Sequence, residues 1–308
     1  MKLNSKRRYI LVTPLKDEIK YLPEVIKSVT NQTILPALWL VVDDGSTDGS
    51  YELLVEWTKR VPWLKVLRIE GKRKREIGFH YAEVVNKGFE YLKKFYNSPF
   101  DYIGILDADI ILSNDYYEML IKKFEEDKNL GIASGIVICK IGNRRIWEKE
   151  PQEWPCGAAR LWTKECFEKS NWRISRAPDS ISTALAMNLG YKTRNFKDLI
   201  ITHLRPTWSG GGFWKGFIDL GKTRYYLGYD LIFVIFVSIK YTLDYPHTGT
   251  LPFLIGYLGD FFSYKKRIEE KTVINFFKRR LIDKLTLWFK KTLKISEGSL
   301  SIKKQQLL

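Results

Sequence analysis

Four short apolar runs, each followed by an amphipathic stretch, constrain this chain more than any other feature. YILVT (9–13), ALWLVVD (37–43), LKVLRI (64–69) and DYIGILD (101–107) have the length and composition of buried strands. Between them, KDEIKYLPEVIKSVTNQ, STDGSYELLVEWTKR and a stretch from about Ile77 to Tyr96 carry apolar residues at helical spacing. A capped helix, SNDYYEMLIKKFEED, and a strand near GIASGIVICK come next. Strands alternating with helices predict an α/β domain whose mainly parallel sheet is covered on both faces. Ligands of such sheets bind beyond the carboxyl ends of the strands.

That rule gathers the acids. Pro14 and Glu18 follow the first strand, Asp43 and Asp44 end the second, and Asp107 and Asp109 end the fourth, inside IGILDADIIL. A buried carboxylate is costly without a positive partner. Residues i and i+2 at a turning strand end can aim at one point. Mg²⁺ or Mn²⁺ uses one or two carboxylates and completes its shell with phosphate oxygens and water. An isolated Asp-x-Asp also reads as a polar strand end making a turn; the second acidic pair on the same rim favours a site.

Composition bounds the rest. With 45% hydrophobic and 28% charged residues, the chain can bury a core. Three scattered cysteines (139, 156, 166) form neither a disulfide framework nor a zinc motif, which fits a reducing, cytoplasmic setting. The N-terminus reads as a first strand and not a secretory signal. LIFVIFV (231–237) is far shorter than the roughly 20 residues of a spanning helix. The net charge is +16, and residues 261–308 hold 13 Lys/Arg against 4 Asp/Glu. Such charge suits nucleic acid, an anionic membrane or a phosphorylated substrate.

Three segments are expected: 1–204, with halves of about 1–112 and 113–204; an aromatic and Gly-rich lid with an apolar segment, 205–260; and a basic helix with its tail, 261–308. In the second, RPTWSGGGFWKGF sets Trp208 beside three glycines. In the third, Phe277, Leu281, Leu285, Trp288 and Phe289 alternate with Lys and Arg at helical spacing. That helix either enters the headgroup boundary of a membrane or packs on the domain with a solvated basic face.

VVDDGSTDGS resembles the nucleotide-contacting segment of family 2 glycosyltransferases. The resemblance continues through VTPLKDEIKYLPEVIKSVTNQT, ILDADI, GAARLWTKE and APDSISTALAMNLGYKT in the family's order, over residues 8–204. It implies a GT-A type, Rossmann-like α/β fold, here with a C-terminal helical and aromatic appendage. It implies that Pro14, Glu18, Val42 and Asp44 line the nucleoside pocket and that Asp107 and Ala108 contact the ribose. Asp109, Asp107 and His203 would hold a divalent cation, Mg²⁺ or Mn²⁺. Asp179 becomes the general base of an inverting transfer, although Asp after Pro is also an ordinary helix cap. A lone histidine such as His203 also serves as a plain structural residue. Arg205, Lys215 and Trp208 are lid or phosphate candidates, Arg75 a diphosphate candidate and Arg160 a candidate for the sugar side. Lys16 departs from the pattern, standing where an aromatic is common.

The function implied is transfer of a sugar from a UDP- or GDP-linked donor to an acceptor hydroxyl or phosphate. Aromatic and apolar segments with a basic tail point to a lipid-linked glycan or polyprenyl-phosphate acceptor at the cytoplasmic face of a membrane, and no nucleic acid is expected. A sugar nucleotidyltransferase would carry a Gly-rich basic loop after the first strand, which TPLKDEIKYL lacks. A non-enzymatic basic module explains the charge but not the converging acids. A glycoside hydrolase would set two carboxylates astride a glycosidic bond, an arrangement that does not need this rim.

Overall fold

The computed structural model describes residues 8–70, 78–141, 144–147, 151–205, 212–243 and 248–279. They fall into two compact units, Met1–Gly210 and Gly211–Leu308.

The first unit is built on nine strands: β1 (Tyr9–Leu15), β2 (Leu38–Asp43), β3 (Leu64–Arg68), β4 (Tyr102–Leu106), β5 (Ile110–Leu112), β6 (Leu130–Ile141), β7 (Arg144–Trp147), β8 (Ala159–Thr163) and β9 (Lys192–His203). Their order is β3-β2-β1-β4-β8-β6-β9-β5, with β7 against β6. The strands β3, β2, β1 and β4 are parallel, as the sequence predicts. GAARLW, which carries no strand signal beyond four apolar residues, inserts as antiparallel β8 between β4 and β6. Being antiparallel, β8 starts at the rim where β4 ends.

Helices α1 (Leu22–Thr30), α2 (Ser50–Thr58), α3 (Phe79–Phe95), α4 (Tyr116–Glu126), α5 (Lys164–Ser170) and α6 (Pro178–Asn188) complete the unit. Residues 16–21, expected within the first helix, form a loop instead; the helix waits for Pro23, whose fixed φ suits the first turn. Strand residues alternate between two cores. Tyr9, Leu11, Trp39 and Val41 face one layer, and Ile10, Val12, Leu40 and Val42 the other. Burial on both faces explains why these strands are apolar throughout. Gly88 lets α3 approach closely, because a Cβ there would clash with Val12 and Val42.

The second unit contains α7 (Phe213–Tyr226), α8 (Leu231–Leu243) and α9 (Thr250–Phe262). Helices α7 and α9 cross at Gly221 and Gly256, where a Cβ on either would strike the other helix's backbone. No helix among the described residues is long and apolar enough to cross a membrane.

Candidate active site

The acids meet at the carboxyl ends of β1, β2 and β4, as the topology requires. The loop after β1 is tied to the DDGSTDGS loop by side chains of the latter. The Asp17, Glu18 and Ile19 amides donate to Ser46 Oγ (2.9 Å), Ser50 Oγ (3.0 Å) and an Asp48 carboxylate oxygen (2.9 Å). Lys16 Nζ reaches across to the carbonyls of Asp44 and Gly45 at 2.6 and 2.9 Å. The lysine that replaces an aromatic therefore braces this loop pair.

The two acids ending β2 separate. Asp43 is fully buried and turns into its own loop, accepting from the Ser46 amide, with Arg68 Nε 3.5 Å away. Asp44 pairs with His80, Nε2 to Oδ2 2.6 Å. Val42, expected in the nucleoside pocket, has its side chain wholly buried beneath α3. Pro14 is half-buried at the strand end, and Ala108 is buried between the two site aspartates.

Asp107 and Asp109 also divide their partners. Tyr81 donates its hydroxyl to Asp107 Oδ1 at 2.9 Å. Burial, then the nearby charges of Asp109 and Asp179, push Asp107 up to about 7. Asp109 is 4% exposed and faces two cations at the end of β9: Arg205 Nε at 2.5 Å and His203 Nε2 at 3.2 Å. Arg205 Nη2 also donates to buried Glu18 at 2.7 Å, binding three loops together.

Burial pulls the His203 pKa down, but its hydrogen bonds to Asp109 and Cys139 outweigh this and raise it to about 10. His203 thus lies against Asp109, where it can answer the charge of that carboxylate. Asp107 and Asp109 keep the hard oxygen chemistry that Mg²⁺ or Mn²⁺ takes. The mutual repulsion that lifts Asp107 is what a divalent cation would relieve. Those two carboxylates fit such an ion with water and phosphate completing its shell, although among the described residues no cluster of three acidic, His or Cys side chains is placed to hold one.

Asp179 stands in the first turn of α6, next to Pro178. Its carboxylate lies against Gly157, where any Cβ would overlap Oδ2. Oδ1 is buried and accepts no hydrogen bond. Arg160 was expected at the sugar, but it is 1% exposed and donates to the carbonyls of Pro155, Cys156 and Asp179 and to Thr183 Oγ1. It holds the Asp179 backbone, and its Nε is 3.9 Å from Oδ1.

Sequence reasoning missed His80, Tyr81 and Arg68. The first two open α3 in the sequence just after the basic run KRKR (72–75), and a helix start facing the rim was the available signal. Arg75 and Trp208 lie outside the described residues, as does most of the basic helix expected near residue 280. Lys215 is exposed on α7 in the second unit.

A family model described as Glycosyl transferase family 2 matches residues 10–189. Glycosyltransferase GlyG of Streptococcus pneumoniae is 29% identical over 116 residues, 38% of this chain and about a third (35%) of that protein. Among solved structures, the mannosyltransferase PcManGT from Pyrobaculum calidifontis, in complex with GDP-Man and Mn²⁺, aligns over 88% of this chain and 74% of its own at 15% identity and TM-score 0.53. S. aureus TarS 1–349 aligns over 84% of this chain and 72% of its own, with 14% identity and TM-score 0.49. The PcManGT likeness shows a shared GT-A glycosyltransferase fold. The family match takes in the whole acidic rim from Pro14 to Asp179 and more than half of the 308 residues, and the chain belongs to glycosyl transferase family 2.

Proposed function

We propose that this chain is an inverting glycosyltransferase that moves a sugar from a nucleoside-diphosphate donor to an acceptor hydroxyl. The observation that carries this reading is Asp179: a carboxylate with one buried oxygen that accepts no hydrogen bond, its backbone held by Arg160, on the rim that holds Asp44, Asp107 and Asp109. Asp179 takes the acceptor's hydroxyl proton as that oxygen bonds to the anomeric carbon. The bond from that carbon to the donor phosphate breaks, and its electron pair leaves with the nucleoside diphosphate. Asp44, with His80 behind it, holds the nucleoside in this reading. Arg205 and His203 supply fixed positive charge on the diphosphate side. A divalent cation on Asp107 and Asp109, when bound, adds Lewis-acid stabilisation of the departing diphosphate.

UDP and GDP are the donor nucleotides to try first, since PcManGT was solved with GDP-Man. The acceptor proposed is a lipid-linked glycan, which offers such a hydroxyl, at the cytoplasmic face of a membrane. The apolar second unit and the +16 charge support it.

The test is calorimetric titration with UDP, GDP and ADP, each with Mn²⁺ and then with EDTA, beside Asp109→Ala. Metal-dependent binding of one nucleotide, lost in the variant, supports the reading. No binding of any nucleotide under either condition would sink it.

A further inference from the structure

The second unit carries two helices whose composition exceeds what their packing uses. LIFVIFVSIKYTL (α8) contains one charged residue, Lys240, and TLPFLIGYLGDFF (α9) one, Asp260. A helix apolar all round belongs inside a core or in lipid. Among the described residues, one face of each is covered. Phe233, Val234 and Ser238 of α8 are buried, as are Phe253 and Tyr257 of α9.

The uncovered faces are regular. On α8, Ile232, Ile235, Phe236 and Ile239 follow i, i+3, i+4, i+7 and are 73, 49, 59 and 54% exposed. On α9, Leu251, Ile255 and Phe262 share one stripe (i, i+4, i+11) at 59, 49 and 71%. Soluble surfaces scatter such residues singly and seldom align them. From the geometry and the charge together we infer that these stripes dock on an anionic lipid bilayer, with the apolar side chains entering the headgroup boundary.

Charge selects this occupant over a second copy of the chain. Directly after α9 the exposed Tyr264, Lys265 and Lys266 join an aromatic ring to two ammonium groups, the pairing that settles at a lipid–water boundary. Residues 265–279 hold six Lys/Arg against two Glu. Anionic lipid answers that charge, whereas self-association would bring two chains of net charge +16 together. At 13 described residues, each helix is about 20 Å long against a hydrocarbon core of about 30 Å, so these two helices lie on the bilayer and do not span it.

This names the docking face for the membrane setting proposed above and uses nothing of the catalytic assignment, so either can fail alone. The full chain is floated with phosphatidylcholine vesicles, with and without about a third phosphatidylglycerol. It should float with the anionic vesicles, and less at high salt. Ile235→Glu/Phe236→Glu should reduce partitioning about tenfold or more with nucleotide binding and circular dichroism kept. Lys265→Gln/Lys266→Gln should reduce it on anionic vesicles only. Ile232→Ser, at the most exposed position, repeats the test if the double variant misfolds. Wild type that stays with the unbound fraction, or an Ile232→Ser chain that floats as well as wild type, overturns the inference. So does a dimer seen by light scattering and broken by Ile235→Glu/Phe236→Glu without any flotation.

Discussion

Arg205 faces Asp109 with its Nε 2.5 Å from Oδ2, so a cation of the chain itself stands at the second acid of the Asp-x-Asp motif. The same guanidinium bonds Glu18, and both carboxylates are nearly inaccessible to water. Removing one partner of a buried ion pair leaves the other uncompensated, at a cost of about 3 kcal/mol. Arg205→Met should therefore lose stability on that scale in urea unfolding. A loss below about 0.5 kcal/mol would mean that the pair is solvated and weak.

His203 sets a pH dependence. Its folded pKa, about 10, is above the ordinary 6.5 because of Asp109 and Cys139, which outweigh burial. A raised pKa contributes stability that is complete below the unfolded value and disappears as pH rises through the folded one. The stability difference between wild type and His203→Gln should be largest near pH 6 and shrink toward pH 10. A difference that grows with pH would contradict the His203–Asp109 pairing.

Tyr81 tunes Asp107. Its hydrogen bond opposes the upward push of burial and of Asp109 and Asp179. In Tyr81→Phe the Asp107 carboxyl should titrate above its present value of about 7, as followed by carbon NMR of labelled aspartate in EDTA. No change would show that the hydroxyl does not reach the carboxylate in solution.

Asp179→Asn should cut turnover about a thousandfold while donor affinity holds, since general bases contribute on that order. Gly157→Ala tests the same carboxylate by position, because its Cβ would overlap Asp179 Oδ2. A displaced base should cost about a hundredfold in kcat with the fold intact by circular dichroism. Full activity in Gly157→Ala would remove Asp179 from the reaction.

Much of this site was legible because strand periodicity places residues by simple rules. Asp44, Asp107 and Asp109 had to reach one rim once their strands were parallel, and Asp179 follows Pro178 in the first turn of a helix. The partners were not legible. His80 and Tyr81 look like any polar start to a helix, and nothing local tells that one meets Asp44 and the other Asp107. Arg160 looked like a cleft residue because GAARLW gives no sign that it will be enclosed between β4 and β6. Val42 misled for the opposite reason: its neighbours line the rim, but the alternation along β2 turns its side chain to the core.

Sequence alone determined the α/β class, a mainly parallel sheet and the acids at the carboxyl ends, because hydrophobic period and turn chemistry are local properties of the chain. Only the tertiary structure decided which charge answers which. Arg205 lies 96 residues after Asp109 and 187 after Glu18 in the chain, and ion pairing depends on distance in space, which the fold alone supplies.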